Sequence, residues 1–174
     1  MTGPQSSDPS NAAVDGAPGR TIHQVAWIVA DLDAGVAGMR RMMGWGPWEV
    51  YEYVPGRLRE LTVDGLTAEF TWAGAEAAIG PNTYVELLQP TSPSGFFYDW
   101  LQAHGEGMHH VGYWASSVDE AERLRWEMTA NGARVLLSAW IDDVYFYYLD
   151  TPPIIYEVWA GDMASVVPVR RIGA

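Results

Sequence analysis

Residues 23–33 read HQVAWIVADLD, and residues 109–119 read HHVGYWASSVD. The two stretches superpose without a gap at an offset of 86 residues (109 − 23), which aligns His23 with His109. Each begins with the apolar and aromatic residues typical of a strand and continues into the capping residues and apolar spacing typical of a helix. Because self-similarity of this kind marks a duplicated structural unit, the chain is predicted to hold two copies of one strand–helix motif.

Short β-branched and aromatic runs follow both motifs and predict further strands. After the first motif they are WEVYEYV, RLRELTV, LTAEFTWA and YVELLQP, and after the second they are ARVLLSAW, DVYFYYLD and IIYEVWAG. The sequence therefore predicts an α+β fold of two βαβββ modules, with module 1 over residues 20–90 and module 2 over residues 106–162. Both modules are expected to form one domain over residues 20–174.

Four polar residues occupy equivalent positions in the two modules. The offset aligns Gln24 with His110, and VELL around Glu86 resembles YEVW around Glu157. Because strand side chains alternate between faces, Gln24 and His110 are expected to point to one face of the sheet. The histidine that precedes each of them is expected to point to the other face.

The chemistry of these four residues suggests a metal site. One imidazole, two carboxylates and an amide oxygen suit divalent Zn, Ni, Co, Mn or Fe and do not suit a metal that needs sulfur. A glutamate in an apolar strand core is costly without a partner, and two of them recur at the same place. A bound cation would polarise a carbonyl oxygen and acidify the adjacent C–H, with Glu157 or Glu86 as the catalytic base.

Composition excludes several classes of function. The ten cationic residues are all Arg, and 22 Asp and Glu give a net charge of −12, so nucleic acid is not an expected partner. The absence of Cys excludes disulfides and Cys-ligated metals. No apolar run approaches membrane-spanning length, which predicts a cytoplasmic protein without a membrane partner. Residues 1–19 are rich in Pro, Gly, Ser and Asp and are predicted to be a disordered tail.

Taken together, these segments resemble the vicinal oxygen chelate superfamily, which includes glyoxalase I, methylmalonyl-CoA epimerase, extradiol dioxygenases and bleomycin-resistance proteins. The resemblance lies in IHQVAWIVADLD, GEGMHHVGYWASSVDEA, VELLQP and YEVW, and it covers roughly residues 20–161. It implies a curved mixed sheet around a central cleft and a homodimer. It also implies a divalent metal ion held by one residue from the first and last strand of each module: Gln24, Glu86, His110 and Glu157.

Alternation along the strands predicts a mostly apolar substrate wall beside the four polar positions. A wall of this kind favours a flat apolar or aromatic carbonyl compound as the small-molecule substrate. Few arginines lie in strand-like segments, which disfavours a CoA thioester because its phosphates are normally bound by cations. The residues of the predicted wall are Ala26, Ile28, Tyr84, Leu88, Trp114 and Trp159.

The leading functional hypothesis is a metal-dependent isomerase, epimerase or lyase that removes a proton next to a carbonyl group. An alternative from another class is a non-catalytic protein that sequesters a small hydrophobic molecule, as bleomycin-resistance proteins do. The glutamine at the first ligand position favours this alternative. A third hypothesis is an Fe(II)-dependent dioxygenase, whose facial triad takes two histidines and one carboxylate. The presence of a single histidine in the ligand register disfavours it.

Overall fold

The structure is a computed structural model that describes residues 20–173, so the predicted tail over residues 1–19 lies outside the described residues. Within them, three α-helices flank one curved mixed sheet of eleven strands, and the predicted α+β class is confirmed. The helices are α1 (Leu32–Met43), α2 (Phe96–His104) and α3 (Val118–Ala130). The strands are β1 (Gln24–Ile28), β2 (Trp48–Tyr53), β3 (Leu58–Val63), β4 (Leu66–Thr67), β5 (Trp72–Gly80), β6 (Thr83–Pro90), β7 (Gly107–Trp114), β8 (Arg134–Ile141), β9 (Val144–Thr151), β10 (Ile154–Gly161) and β11 (Arg170–Ile172).

The order of strands in the sheet is β11-β2-β5-β6-β1-β7-β10-β9-β8-β3-β4. Strands β1 and β7, which open the two repeats, pair antiparallel at its centre. Each of them also pairs in parallel with a strand from the end of its own repeat, β6 in the first and β10 in the second. The four strands that carry the predicted polar residues are therefore neighbours.

Helices α1 and α3 begin at equivalent capping residues. Asp31 and Ser117 are 86 residues apart (117 − 31), and their side chains accept hydrogen bonds from the backbone N–H of Ala34 at 2.9 Å and of Glu120 at 3.1 Å. Each helix packs one face against its own half of the sheet in a separate apolar cluster. None of the helices in residues 20–173 is both long and apolar enough to cross a membrane.

Helix α2 has no counterpart in the predicted modules. It follows the turn-rich segment TSPSG and begins without a side-chain cap. Its Phe97 is buried against Trp72 and Tyr148, with ring centroids 5.0 and 5.8 Å away. The same apolar cluster contains Ile28 and Leu88. Helix α2 thus closes one end of the inner face of the sheet.

The two halves of the sheet exchange their edge strands. The segment RLRELTV, predicted as a strand of module 1, forms β3, and the β3–β4 hairpin pairs with β8 of the second half. In return, β11 near the C-terminus pairs with β2 of the first half. Ion pairs between Arg57 and Asp142, and between Arg171 and Glu49, hold the two exchanged edges. The segment between β10 and β11 therefore crosses from the second half of the sheet to the first.

Gly161 starts this crossing segment at a place where a side chain does not fit. Its φ of 133° is one that L-residues rarely adopt, and a Cβ atom would lie 2.2 Å from the backbone oxygen of Asp143. We expect Gly161→Ala to lower the free energy of unfolding by about 2 kcal/mol or more, because backbone strain adds to the steric clash. Urea unfolding followed by tryptophan fluorescence measures this loss.

The control for this variant is Gly38→Ala in α1, where a Cβ atom meets nothing within 4 Å. Alanine in a helix is favoured over glycine, so the control is expected to be as stable as the parent or more stable by about 0.5–1 kcal/mol. Equal unfolding free energies for the two variants would contradict the close approach at Gly161.

Candidate metal centre

Gln24, Glu86, His110 and Glu157 converge on the inner face of the sheet. His110 Nε2 lies 3.0 Å from Glu157 Oε2, 3.5 Å from Glu86 Oε2 and 3.3 Å from Gln24 Oε1. The ligand atoms of the histidine and the two glutamates all lie within 4.8 Å of one another. All four residues are buried, with at most 7% exposed. The structure therefore brings the whole predicted ligand set together.

Strand pairing positions the carboxylates of the two repeats in the same way. In the parallel pairing of β1 with β6, Glu86 lies two residues beyond the partner of Gln24. In the parallel pairing of β7 with β10, Glu157 lies two residues beyond the partner of His110. Because side chains two residues apart share a face, each carboxylate turns to the same face as the polar residue on the neighbouring strand.

Burial and neighbouring charges shift the pKa values of this cluster. Burial raises the pKa of Glu86 to about 7, an effect that the nearby His110 imidazole opposes and the Glu157 carboxylate strengthens. Burial alone would lower the pKa of His110, but the adjacent Glu157 and Glu86 outweigh it and raise that pKa to about 9. A positive charge at the centre of the cluster therefore stabilises the carboxylates around it.

The donor set fits a divalent metal ion. Glu86 Oε2 is buried and has no hydrogen-bond partner among the described residues, which is costly for a carboxylate oxygen that binds nothing. The imidazole, the two carboxylates and the amide oxygen match the ligand preferences of Zn, Ni, Co, Mn and Fe(II). Gln24, Glu86, His110 and Glu157 are thus the residues that could hold such an ion.

Glu76 on β5 is a third carboxyl group in the cleft that the sequence analysis missed. It lies directly opposite Glu86 in the β5–β6 pairing, and Gln24 Nε2 donates a hydrogen bond to its Oε1 at 3.4 Å. Burial, together with the charges of Glu86 and Glu157, raises the pKa of Glu76 well above its usual value. Burial and these charges therefore favour the protonated form of Glu76 beside the candidate metal centre. The signal in the sequence is a single charged residue within the small apolar run AGAEAAIG.

Aromatic side chains surround the polar cluster and leave a small cavity of about 40 Å³ beside it, the inner cavity. Met163 and Val166 of the crossing segment lie over it. Burial, with the neighbouring glutamate charges, raises the pKa of Tyr53 and of Tyr148 well above the usual value, so both phenols stay protonated and can donate hydrogen bonds. The aromatic lining residues are Tyr51, Tyr53, Trp72, Phe146, Tyr148 and Trp159.

The predicted substrate wall divides between the cavity, its mouth and the packed interior. Trp159 lines the inner cavity. Tyr84 and Trp114 line a neighbouring space at its mouth, the outer groove, which Trp159 and Gln24 also border. The other three positions are at most 1% exposed, because the strands on either side and the cluster under α2 cover them: Ala26, Ile28 and Leu88.

His109 departs from the predicted alternation of side chains. In the β1–β7 pairing, Ala26 pairs with His110, but the next residue, Trp27, pairs with Met108. His109 is therefore the extra residue of a β-bulge. The bulge turns the His109 ring toward that of His110, with the two Nδ1 atoms 2.8 Å apart. The expectation that His109 points away from the ligand face is therefore wrong.

Comparison with known proteins identifies the family. Residues 23–148 match the family model described as the Glyoxalase/Bleomycin resistance protein/Dioxygenase superfamily. The chain therefore belongs to this group, the vicinal oxygen chelate superfamily. No curated protein sequence matches the chain significantly.

Solved structures share the fold at low sequence identity. A hypothetical protein from Bacillus halodurans C-125 superposes with a TM-score of 0.60 at 17% identity, covering 82% of this chain and 94% of its own. Methylmalonyl-CoA epimerase from Mycobacterium tuberculosis gives 0.58 at 17% identity, covering 82% and 89%. A variant of Streptomyces coelicolor methylmalonyl-CoA epimerase in complex with 2-nitronate-propionyl-CoA gives 0.57 at 20% identity, covering 82% and 97%. These similarities establish the fold.

Gly112 on β7 makes room for two residues of the site. A Cβ atom there would lie 2.3 Å from Trp159 Cζ3 and 2.9 Å from Gln24 Oε1. We expect Gly112→Ala to displace both side chains and to weaken zinc binding by about 10-fold or more, as the loss of a supporting contact does. Competition with a zinc-chelating dye measures the affinity.

Gly107→Ala on the same strand is the matched control. A Cβ atom at Gly107 would have its nearest neighbour, in the Trp100 ring, at an ordinary contact distance of 3.6 Å. This variant should bind zinc as the parent does. Equal affinities for the two alanine variants would show that the tight packing around Gly112 does not support the site.

Proposed function

We propose that this chain is a metal-dependent enzyme, an isomerase, epimerase or lyase, that removes the proton next to a carbonyl group of a small apolar or aromatic substrate. One observation carries the proposal: two buried carboxyl groups face a single imidazole, and a third, half-buried carboxyl group, Glu76, lies beside them in a cleft lined by aromatic residues. Membership of a superfamily that includes glyoxalases supports it, as does the fold shared with methylmalonyl-CoA epimerases.

The four ligand residues, Gln24, Glu86, His110 and Glu157, would hold a divalent ion such as Zn, Ni, Co, Mn or Fe(II). When bound, such an ion polarises a carbonyl oxygen and lowers the pKa of the adjacent C–H. Among the described residues the cluster contains one histidine, His110. The facial triad of an Fe(II) dioxygenase takes two histidines, so this donor set favours proton abstraction over oxygen chemistry.

Carboxyl groups face the substrate space from both halves of the sheet. Glu76 and Glu86 are cross-strand neighbours on β5 and β6, whereas Glu157 lies on β10. Glu157 accepts the proton from one side of the bound carbonyl compound, and the protonated Glu76 returns a proton from the other. Gln24 holds Glu76 in position through the hydrogen bond from its Nε2. Removal on one side and return on the other inverts the carbon centre, which is what an epimerase requires.

The charges around the cavity disfavour an anionic substrate. The inner cavity and the outer groove are lined by four glutamates and a single arginine. That residue, Arg171, is already paired with Glu49 at 2.8 Å, so no described lining residue offers a free cation to a phosphate group. The faces of Trp114 and Trp159 instead suit a flat, uncharged compound. We therefore infer an uncharged aromatic ketone rather than a CoA ester.

Metal content tests the ligand assignment. Protein purified without chelator is expected to contain about one divalent ion per chain, as a single four-ligand site does. His110→Ala and Glu157→Ala should lose the ion, because each removes a donor from the set. His104→Ala is the control, since that exposed residue of α2 lies outside the cluster, and it should keep the ion. Elemental analysis gives the stoichiometry.

A parent protein without metal, even after addition of Zn, Ni, Co or Mn, would overturn the enzymatic proposal. It would favour instead a protein that sequesters an apolar molecule. Quenching of tryptophan fluorescence by aromatic ligands would then report binding in the outer groove, where Trp114 and Trp159 lie.

Glu76→Gln separates proton transfer from metal binding. The variant should retain the metal, because Glu76 lies outside the ligand set, yet its exchange of the substrate α-proton should fall by about 100-fold or more, as the loss of a general acid does. Mass spectrometry of deuterium uptake from D₂O into a panel of uncharged aromatic ketones measures the exchange. Glu69→Gln, at an exposed position, is the control.

Exchange at the parental rate in Glu76→Gln would remove this residue from the mechanism. The substrate class is tested in the same assay with methylmalonyl-CoA. If the parent exchanges the α-proton of this CoA ester faster than that of every uncharged ketone, the proposed substrate class is wrong.

A further inference from the structure

We propose that His109 is a positioning residue that orients the ring of His110 and fixes its tautomer, by accepting a hydrogen bond from His110 Nδ1–H. This inference rests on the proposed metal site, because it concerns which nitrogen of His110 is free to bind the ion. Three features of the structure carry it: the bulge in β7, the direction of the hydrogen bond and the aromatic surroundings of His109.

The bulge is what allows the two rings to meet. In a regular strand, adjacent side chains point to opposite faces of the sheet. Ala26 pairs with His110 and Trp27 pairs with Met108, which leaves His109 unpaired in the ladder. The extra residue bends the strand locally, and the two Nδ1 atoms come within 2.8 Å of each other.

The surroundings of His110 fix the direction of this hydrogen bond. Its Nε2 faces three acceptors, the oxygens of Glu157, Glu86 and Gln24. Nε2 is therefore the nitrogen that binds a cation, and a neutral imidazole that binds through Nε2 carries its proton on Nδ1. His109 Nδ1 lies at hydrogen-bond distance to accept that proton, and this leaves the proton of His109 on its own Nε2.

An aromatic cage holds His109 in this position. The rings of Phe96, Phe97, Trp100 and Tyr148 surround it, with centroids 5.2 to 5.9 Å away. His109 is 5% exposed, and its Nε2 has no hydrogen-bond partner among the described residues. The cage therefore restricts the ring by packing, and among the described residues His110 is its hydrogen-bond partner.

A neutral acceptor suits this site better than a carboxylate. Metal-bound histidines commonly donate their second N–H to a carboxylate or a backbone carbonyl. Here Glu86 and Glu157 already lie in the cleft, and another carboxylate behind His110 would add repulsion in a buried region. An imidazole supplies the acceptor without that charge. The negative charge of the cleft therefore favours a histidine over a carboxylate at position 109.

Two variants separate positioning from packing. His109→Phe keeps a ring in the aromatic cage but removes the acceptor, whereas His109→Asn retains an acceptor oxygen close to the place of Nδ1. Zinc affinity is expected to fall by about 10- to 100-fold in His109→Phe and to recover largely in His109→Asn. Competition with a zinc-chelating dye measures the affinity, and thermal unfolding of the metal-free proteins measures packing.

The tautomer of His110 is read directly by NMR of protein labelled with ¹⁵N-histidine. The zinc-loaded parent should show His110 protonated at Nδ1, with a proton signal shifted downfield by the hydrogen bond. This downfield shift should disappear in His109→Phe and return in His109→Asn. Unchanged zinc affinity and an unchanged Nδ1–H signal in His109→Phe would overturn the inference. So would equal losses in both variants, which would indicate a role in packing alone.

The metal-free protein distinguishes failure of this inference from failure of the proposed function. If the parent binds no metal, the proposed function fails, but the hydrogen bond can still be measured. A downfield Nδ1–H signal of His110 that depends on His109 would support the positioning contact, and its absence would overturn it.

Discussion

The antiparallel pairing of β1 with β7 is the constraint on which the rest of the structure depends. It joins the two repeats edge to edge, so that Gln24 and His110 lie on adjacent strands at the centre of the sheet. Each of these strands also pairs in parallel with the strand that carries a glutamate of its own repeat. Neither repeat contains more than half of the ligand set, and the site exists only because this pairing brings the halves together.

The cost of burying carboxyl groups determines the electrostatics of the site. Carboxylates are expensive to remove from water, and here one imidazole offsets part of that cost. Glu86 and Glu157 face the imidazole of His110, and burial raises the pKa of Glu76, which accepts a hydrogen bond from Gln24. The arrangement holds negative charge around a point that favours a cation.

The periodic features of the fold could be predicted from the sequence. The repeat offset of 86 residues (109 − 23) identifies the matched strands and places Gln24 and His110 in the same register, and the structure repeats that offset at the helix caps. The likeness of VELL around Glu86 to YEVW around Glu157 then selects the two glutamates. These inferences succeed because they depend on local patterns that the duplication repeats.

The remaining features depend on contacts that local patterns do not encode. The bulge at His109 breaks the alternation on which the prediction relied. Helix α2 lacks a capping side chain, and its aromatic face is recognisable only against the cluster that it covers. Nothing in the sequence of β3 shows that it joins the opposite half of the sheet. Glu76 lies in an Ala- and Gly-rich strand without the β-branched residues that usually signal one.

The most direct test of the account is a crystal structure of zinc-soaked protein with anomalous data collected just above the zinc absorption edge. The account predicts one strong anomalous peak between Glu86, His110 and Glu157, with Gln24 Oε1 directed at it and Glu76 outside the coordination sphere. A peak bound elsewhere on the chain, or no peak within this cluster at saturating zinc, would contradict the claim that the two repeats together build a metal centre.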